Sequence, residues 1–330
     1  MGDFPLPDPF GLAFGPFCDA VREHGFGRGH AEAAYNAVFR EGVLEPRADR
    51  GRMVARGRPA PIVREVSEEV AEGVTTKFVQ RLDAPDHKSG APHLDIESVV
   101  IPMVGRTGTR THTLCVSSQV GCAMGCTFCE TAQMGLVRSL TAEEIVGQWW
   151  AATHVKGVRV DNIVFMGMGE PLDNAAEVIR AISVLAEHQG PSVPMSRITI
   201  STVGRVDGLR LLDGVVKQHG WKRLGLAVSV NAPNDDVRSE IMPINRRYDM
   251  AELREALLSF RRGSHRKVCF EYVLIPGVND REEHARELSA YLDPFKAGRN
   301  GRSPTGLVNV IPYNPRRDSP WPAPAEEDVA

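Results

Sequence analysis

From about residue 110 onward, short runs rich in Val and Ile alternate with helical patterns. The strand-like runs are Thr111–Ser117, Asn162–Met166, Arg197–Thr202, Leu224–Val230, Lys267–Leu274 and Leu307–Pro312. Helical spacing of apolar residues fills the intervals at Thr141–Lys156, Ala175–His188, Val206–His219, Met250–Arg262 and Arg281–Leu292. Thr141 stands at an N-cap, with Glu144 in the capping-box place. Nearly continuous apolar strands separated by helices mean parallel βαβ units buried on both faces. The fold class is therefore α/β, and six units point to a partial (β/α)6 barrel over residues 111–330. An open doubly wound sheet is the alternative, but no G-x-G-x-x-G follows the first strand.

Residues 1–60 read as a small helical accessory domain, with helical patterns over Phe10–Glu23 and Gly29–Arg40. Residues 61–110 read as a linker and short β extension. Val74–Leu82 and Ile96–Pro102 are its strands, with turn-rich Ala84–Pro92 between them. Pro324–Ala330 has the composition of a helix's first turn, but no helix to cover the sixth strand follows it. The sequence thus reads as naturally short or as truncated at its C-terminal helix.

Composition excludes several classes. With 42% hydrophobic and 25% charged residues the chain is of ordinary globular make-up. No run of eighteen apolar residues marks a membrane span, and the acidic, Pro-rich start lacks a basic n-region. A net charge of -3 excludes a histone-like nucleic-acid binder, though not a local basic patch. Four of the six cysteines, Cys18, Cys115, Cys122, Cys126, Cys129 and Cys269, fall within fifteen residues. Such bunching suits a metal or redox site in the cytoplasm better than a secreted disulfide framework.

Cys122-Ala-Met-Gly-Cys126-Thr-Phe-Cys129 has C-x3-C-x2-C spacing in the loop after the first barrel strand. Three thiolates can hold three irons of a [4Fe-4S] cubane and leave the fourth open to a ligand. A zinc knuckle is the alternative, although a structural zinc site wants a fourth protein ligand. Gly167-Met-Gly169-Glu170-Pro171 ends the second strand, where glycine lets a ligand approach the backbone and a carboxylate can receive an ammonium group. Ser201, Ser229 with Asn231, and Asn314 end the third, fourth and sixth strands, the rim on which such a barrel builds its site.

The cysteine spacing and its position resemble the radical S-adenosylmethionine (SAM) superfamily, and Gly167–Pro171 resembles its GGEP motif. Further motifs run in order along the chain: Thr113–Cys122, Met166–Asn174, Ala232–Asp235, Met242–Asn245, Glu271–Leu274 with Gly277–Asp280, and Ile311–Pro315. From about residue 95 to the end they resemble the RlmN/Cfr family of RNA adenine methyltransferases, and the N-terminal helical part resembles that family's RNA-contacting domain. The resemblance implies Cys122, Cys126 and Cys129 as cluster ligands. It implies SAM contacts from Gly169, Glu170, Ser201, Ser229, Asn231 and Asn314. One SAM would methylate a C-terminal cysteine. A second, cleaved reductively at the cluster, would give the 5′-deoxyadenosyl radical that activates this methyl group for addition to C2 or C8 of adenine. Cys115 then stands at the position that resolves the protein–RNA adduct through a disulfide, and Glu97 at that of the proton acceptor. Read from residues alone, Cys115 can also be a small buried strand residue, and for Glu97 the reading as a solvent-facing carboxylate prevails.

Two positions depart from the family pattern. Asn231 stands where His is frequent, and Glu130 where Ser is common. The methyl-carrying cysteine would lie beyond residue 330, because no cysteine follows Cys269. The expected partners are ribosomal RNA, with transfer RNA as a second class, and an electron donor such as flavodoxin or ferredoxin. A monomer without membrane association is expected. Arg47, Arg50, Arg52, Arg56, Arg58 and Arg64, with Arg246, Arg247, Arg261, Arg262, Arg266, Lys267, Arg316 and Arg317, are candidates for phosphate contact, against a reading as solvated basic surface. Two other functions share parts of the pattern: a radical enzyme acting on a protein, and an RNA-binding protein that keeps the cluster as structure.

Overall fold

The structure is a computed structural model, and it describes residues 5–84, 92–105, 107–264, 266–296 and 304–325. Most of the turn-rich segment Ala84–Pro92 and the last five residues of the Pro324–Ala330 tail lie outside the described residues. In chain order the elements begin with α1 (Phe14–Glu23), α2 (Arg28–Arg40), β1 (Ile62–Val70), β2 (Gly73–Asp83), β3 (His93–Val104) and β4 (Arg110–Cys115). There follow β5 (Gln119–Gly121), α3 (Glu130–Gln133), β6 (Leu136–Ser139), α4 (Ala142–Trp150), β7 (Asn162–Phe165), α5 (Ala175–Leu185) and β8 (Ile198–Thr202). The rest are α6 (Val206–Val216), β9 (Gly225–Ser229), α7 (Asp235–Ile241), α8 (Met250–Gly263), β10 (Val268–Leu274), α9 (Glu282–Tyr291), α10 (Asp293–Lys296) and β11 (Gly306–Pro312). No helix among the described residues is long and apolar enough to cross a membrane.

The chain divides into two compact units. One comprises residues 1–120, 139–168 and 176–198. In it, β1 to β4 form an antiparallel meander, and β4 continues into a parallel pairing with β7, Leu114 opposite Ile163. The N-terminal helices share a core with α4. Phe10 lies 5.7 Å from Phe39 and 6.1 Å from Trp150, ring to ring, and Tyr35 lies 4.7 Å from Phe39. Trp150 Nε1 donates to Val38 O at 3.0 Å, so its one polar atom is satisfied inside the aromatic cluster. The capping box read from sequence is present: Thr141 Oγ1 accepts from Glu144 N and Glu144 Oε2 from Thr141 N, a device worth about 1 kcal/mol. Beyond Trp150 the helix continues as one π turn, Ala151–Val155.

The second unit comprises residues 121–138, 169–175 and 199–330. Its strands β9, β10 and β11 pair in parallel in sequence order, and Thr199–Thr202 of β8 pair with β9. The registers set Ser201 opposite Ala227 and Ser229 opposite Glu271, so the polar residues gather at the C-terminal ends of their strands.

Two parts differ from the sequence reading. β1 occupies the end of the arginine-rich segment, where its valines are exposed and follow no alternation. The cysteine loop is not a bare connection, since β5 and β6 flank it and α3 lies within it.

Candidate active site

The cysteine loop is anchored by its backbone. Cys129 N donates to Cys126 O at 3.2 Å, and Cys122 N to Gly135 O at 3.0 Å. Gln133 Nε2 reaches the carbonyls of Cys126 and Cys129 at 3.3 and 3.2 Å. Thr127 N donates to Ile241 O at the end of α7, and Arg316 Nε to Thr127 O at 2.9 Å. Glu130, the residue that departs from Ser, accepts from Arg317 N at 3.2 Å and so joins the loop to the chain after β11. Gly121 carries φ +74°, and a Cβ there would lie 1.8 Å from Gly135 O, so only glycine fits.

Cys122 and Cys126 are buried and Cys129 is half-buried. Burial pushes the Cys122 thiol up to about 11 and that of Cys126 further; Glu170 and Cys129 add to the rise at Cys122, and Cys129 and Cys122 to that at Cys126. Thiols of this kind are protonated at neutral pH and lose protons on binding iron. Among the described residues no three His, Cys, Asp or Glu side chains are grouped to hold a single metal ion. A cubane asks for something else, because each thiolate binds its own iron and three sulfurs need only line one face. Three mutually interacting thiols on a loop fixed from several sides fit that demand.

Glu170 is buried, and the backbone before it turns through Gly169 at φ +100°. Its Oε1 accepts from Thr202 Oγ1 at 2.7 Å and Leu172 N at 3.0 Å, and its Oε2 from Val203 N at 2.9 Å. Burial dominates these donors and pushes the carboxyl up to about 7 from the usual 4.5. A cation arriving there would restore the ionised form.

Ser201 and Ser229 are half-buried and share one acceptor. Their hydroxyls donate to Glu271 Oε2, at 2.8 and 3.2 Å. With both protons held by Glu271, the serine lone pairs are left to accept from a ligand. Asn231 is buried at φ +55°, a conformation asparagine tolerates better than most residues. Its Oδ1 accepts from Val273 N at 2.9 Å and its backbone carbonyl from Asn279 Nδ2 at 2.8 Å, so it shapes the rim from within. Asn314 is exposed after β11.

In the first unit, Cys115 ends β4 opposite Val99 of β3, and Glu97 lies two residues before Val99. The pleat therefore sets Glu97 and Cys115 on one face of the sheet, diagonal neighbours two residues apart in register on adjacent strands. Cys115 is buried, while Glu97 is half-buried with Lys77 Nζ 3.3 Å from its carboxylate.

Sequence reasoning passed over Thr202, Glu271 and Arg238. Glu271 and Arg238 had signals. Glu271 is an acid in an apolar strand between Phe270 and Tyr272, and Arg238 shares a helix face with Ile241 and Met242. Charged residues at core positions are rarely idle.

Residues 116–288 match the Radical SAM superfamily. Among curated proteins, the chain is 42% identical over 272 residues to the dual-specificity RNA methyltransferase RlmN of Nitratidesulfovibrio vulgaris, covering 80% of this chain and 68% of that one. The chain belongs to the RlmN/Cfr family of the radical SAM superfamily. A probable dual-specificity RNA methyltransferase RlmN 1 of Protochlamydia amoebophila is 41% identical over 266 residues, covering 80% of this chain and 66% of that protein. The relative from Xanthomonas campestris is 43% identical over 228 residues, covering 67% and 54%. The chain thus spans from about half to about two thirds of the length of these RlmN relatives. A crystal structure of a radical SAM methyltransferase from Sphaerobacter thermophilus matches with a TM-score of 0.80 at 34% identity, covering 98% of this chain and 90% of that one. The α/β partial-barrel class read from the strand–helix alternation is the superfamily's, and the RlmN/Cfr family's implied cofactors are a [4Fe-4S] cluster and SAM.

Proposed function

We propose that the chain is a radical-SAM methyltransferase acting on C2 or C8 of an adenine in ribosomal RNA, with transfer RNA as a second substrate class. The observation that carries the reading is the assembly of the second unit. The cysteine loop, the Gly169–Glu170 turn and the Ser201/Ser229 pair on Glu271 are all built there at strand ends. Cys122, Cys126 and Cys129 would hold the cluster, which when bound supplies the electron that cleaves SAM. Glu170 would receive the SAM ammonium group, since its carboxylate is oriented by donors from Leu172, Thr202 and Val203. Ser201 and Ser229 would accept from ligand hydroxyls. Gly169 would let the ligand approach the backbone, Asn231 would fix the rim, and Asn314 would close it from beyond β11.

In the first unit, Cys115 would supply the thiol that resolves the adduct, and Glu97 would take the proton from adenine. Their common sheet face supports that pairing. Residues 1–60 would contact RNA. Flavodoxin or ferredoxin would supply electrons, and the cytoplasm is the compartment this reading requires, with a monomer as the acting form.

The family resemblance implies a cysteine that carries the methyl group, and within residues 1–330 only Cys269 lies late in the chain. It is half-buried in β10, and burial pushes its thiol up to about 11, which makes it a poor nucleophile. The test is mass spectrometry of RNA nucleosides after anaerobic turnover. The 330 residues alone should form 5′-deoxyadenosine and no methyladenosine. Joined to the C-terminal segment of the Nitratidesulfovibrio vulgaris relative, they should form 2- or 8-methyladenosine. A fusion that binds RNA and cleaves SAM without methylating adenine would overturn the reading.

A further inference from the structure

Arg238 is fully buried, yet all its hydrogen-bond acceptors are neutral. Nε donates to Val230 O at 3.2 Å and Nη1 to Asn245 Oδ1 at 2.9 Å. Nη2 reaches Val203 O at 2.6 Å and Ser229 O at 3.4 Å. Among the described residues it has no carboxylate partner in an ion pair. A guanidinium out of water with no direct ion-pair partner is strongly unfavourable, and it stays protonated; Asp235 acts on it at a remove, through Asn245, whose Nδ2 donates to Asp235 Oδ1 at 2.9 Å. Nothing in its hydrogen bonding supplies the missing negative charge.

Two features of geometry point to a further source of negative charge. First, Arg238 lies on α7, and the cysteine loop is fastened to the end of that helix: Thr127 N donates to Ile241 O at 3.0 Å, one residue after Cys126. Second, the carbonyls that Arg238 holds belong to the rim. Val203 also gives its N–H to Glu170, and Ser229 is one of the two serines on Glu271. We infer that Arg238 is a positioning residue whose fixed charge is balanced by the anionic face of the cluster, and that it raises the cluster's reduction potential. The inference rests on the reading of Cys122, Cys126 and Cys129 as cluster ligands. Consistent with it, the acidic groups whose charge acts on Arg238 are Tyr291, Cys126 and Asp235, and Arg238 in turn lowers the thiol of Cys126, which burial raises.

The direction follows from charge. A [4Fe-4S] cluster of charge +2 with three thiolates carries −1 overall, and taking up one electron brings it to −2. A nearby cation stabilises the reduced form more than the oxidised form. Losing it lowers the potential, which makes the electron harder to deliver from the donor.

The test is an EPR-monitored redox titration, with dithionite, of the reconstituted full chain as wild type, R238K and R238Q, each with its iron content measured. R238Q with about four irons should have a ratio of reduced to oxidised cluster about tenfold lower at a fixed potential, a shift of ~59 mV for a one-electron couple. R238K keeps the charge but loses the fork of hydrogen bonds, and should stay within about threefold of wild type. An iron-loaded R238Q with the wild-type potential overturns the inference. So does an R238K that falls as far as R238Q, which would make the role one of hydrogen bonding alone. Should R238Q not be recovered folded, R238K decides by the same limits. A wild-type chain that takes up no iron instead refutes the cluster assignment itself.

Discussion

Thr202 Oγ1 donates to Glu170 Oε1 across 2.7 Å, linking the end of β8 to the turn after β7's strand segment. Thr202 also accepts from Gly204 N at 3.1 Å, so its hydroxyl has one direction in which to point. A carboxylate that has left water is thus oriented by the strand next in sequence, before any ligand arrives.

The first prediction concerns pH. Folded Glu170 holds its proton up to about pH 7, against the usual 4.5. Between those values the folded chain binds more protons than the unfolded chain. Stability therefore falls as the pH rises through this window, by about 3 kcal/mol in all. E170Q should flatten this dependence in urea melts compared at pH 5 and pH 8. Affinity for SAM should fall up to about tenfold per pH unit below pH 7, because the ammonium group needs the ionised carboxylate. A SAM dissociation constant with no pH dependence between 6 and 8 would count against Glu170 as its acceptor.

Gly121 gives a purely steric test. A Cβ at this position would meet Gly135 O at 1.8 Å, with backbone on both sides of the clash. G121A should cost about 1–3 kcal/mol or more and displace Cys122, its neighbour in sequence. Iron bound after reconstitution should drop below half of the wild-type value. Full iron content and an unchanged melting temperature would mean that the loop adopts another path.

The thiols make a stoichiometric prediction. Wild-type chain should take up about four irons and four sulfides, while C126A should take up almost none, since it removes the most buried of the three sulfurs. One tightly held zinc and no iron would favour a structural metal site.

For RNA, the structure redirects the choice of arginines. Arg52 stacks 4.3 Å over Phe26 and bonds to His24 O, and Arg56 pairs with Glu45 at 2.9 Å. Their removal would disturb the helical part itself. Arg50, Arg58 and Arg64 are exposed, although Arg58 also acts on Asp8 and Arg64 on Asp95. Replacing all three with Ala should flatten the slope of log affinity against log salt by about 0.7–0.9 per lost phosphate contact. An unchanged slope in a filter-binding series would leave this patch as solvated surface.

Legibility of the sequence followed local pattern and, for most strands, burial. Helix α4 announced itself because Thr141 and Glu144 act locally, and the strands Gly225–Ser229 and Val268–Leu274 did so because they are largely buried, whereas β11 was legible from its Val/Ile run although Leu307, Val308 and Val310 are exposed. Strand β1 did not, because Val66 is 58% exposed and pairing alone holds the strand. Segments β5, β6 and α3 have three or four residues each, too few for a period to show. At the site, cysteine spacing and the Gly-Glu turn were legible because the chemistry demands those residue types. The partners of Glu170 and of Ser201 and Ser229 were not, because Thr202, Val203 and Glu271 meet them only through tertiary packing.

The most direct measurement is anaerobic incubation of the reconstituted chain with SAM and dithionite, followed by quantification of 5′-deoxyadenosine and methionine. Equal amounts of the two should appear in the wild type and neither in C126A, with E170A retaining its iron but needing far more SAM. A chain that holds four irons, binds SAM and still forms no 5′-deoxyadenosine would contradict the account.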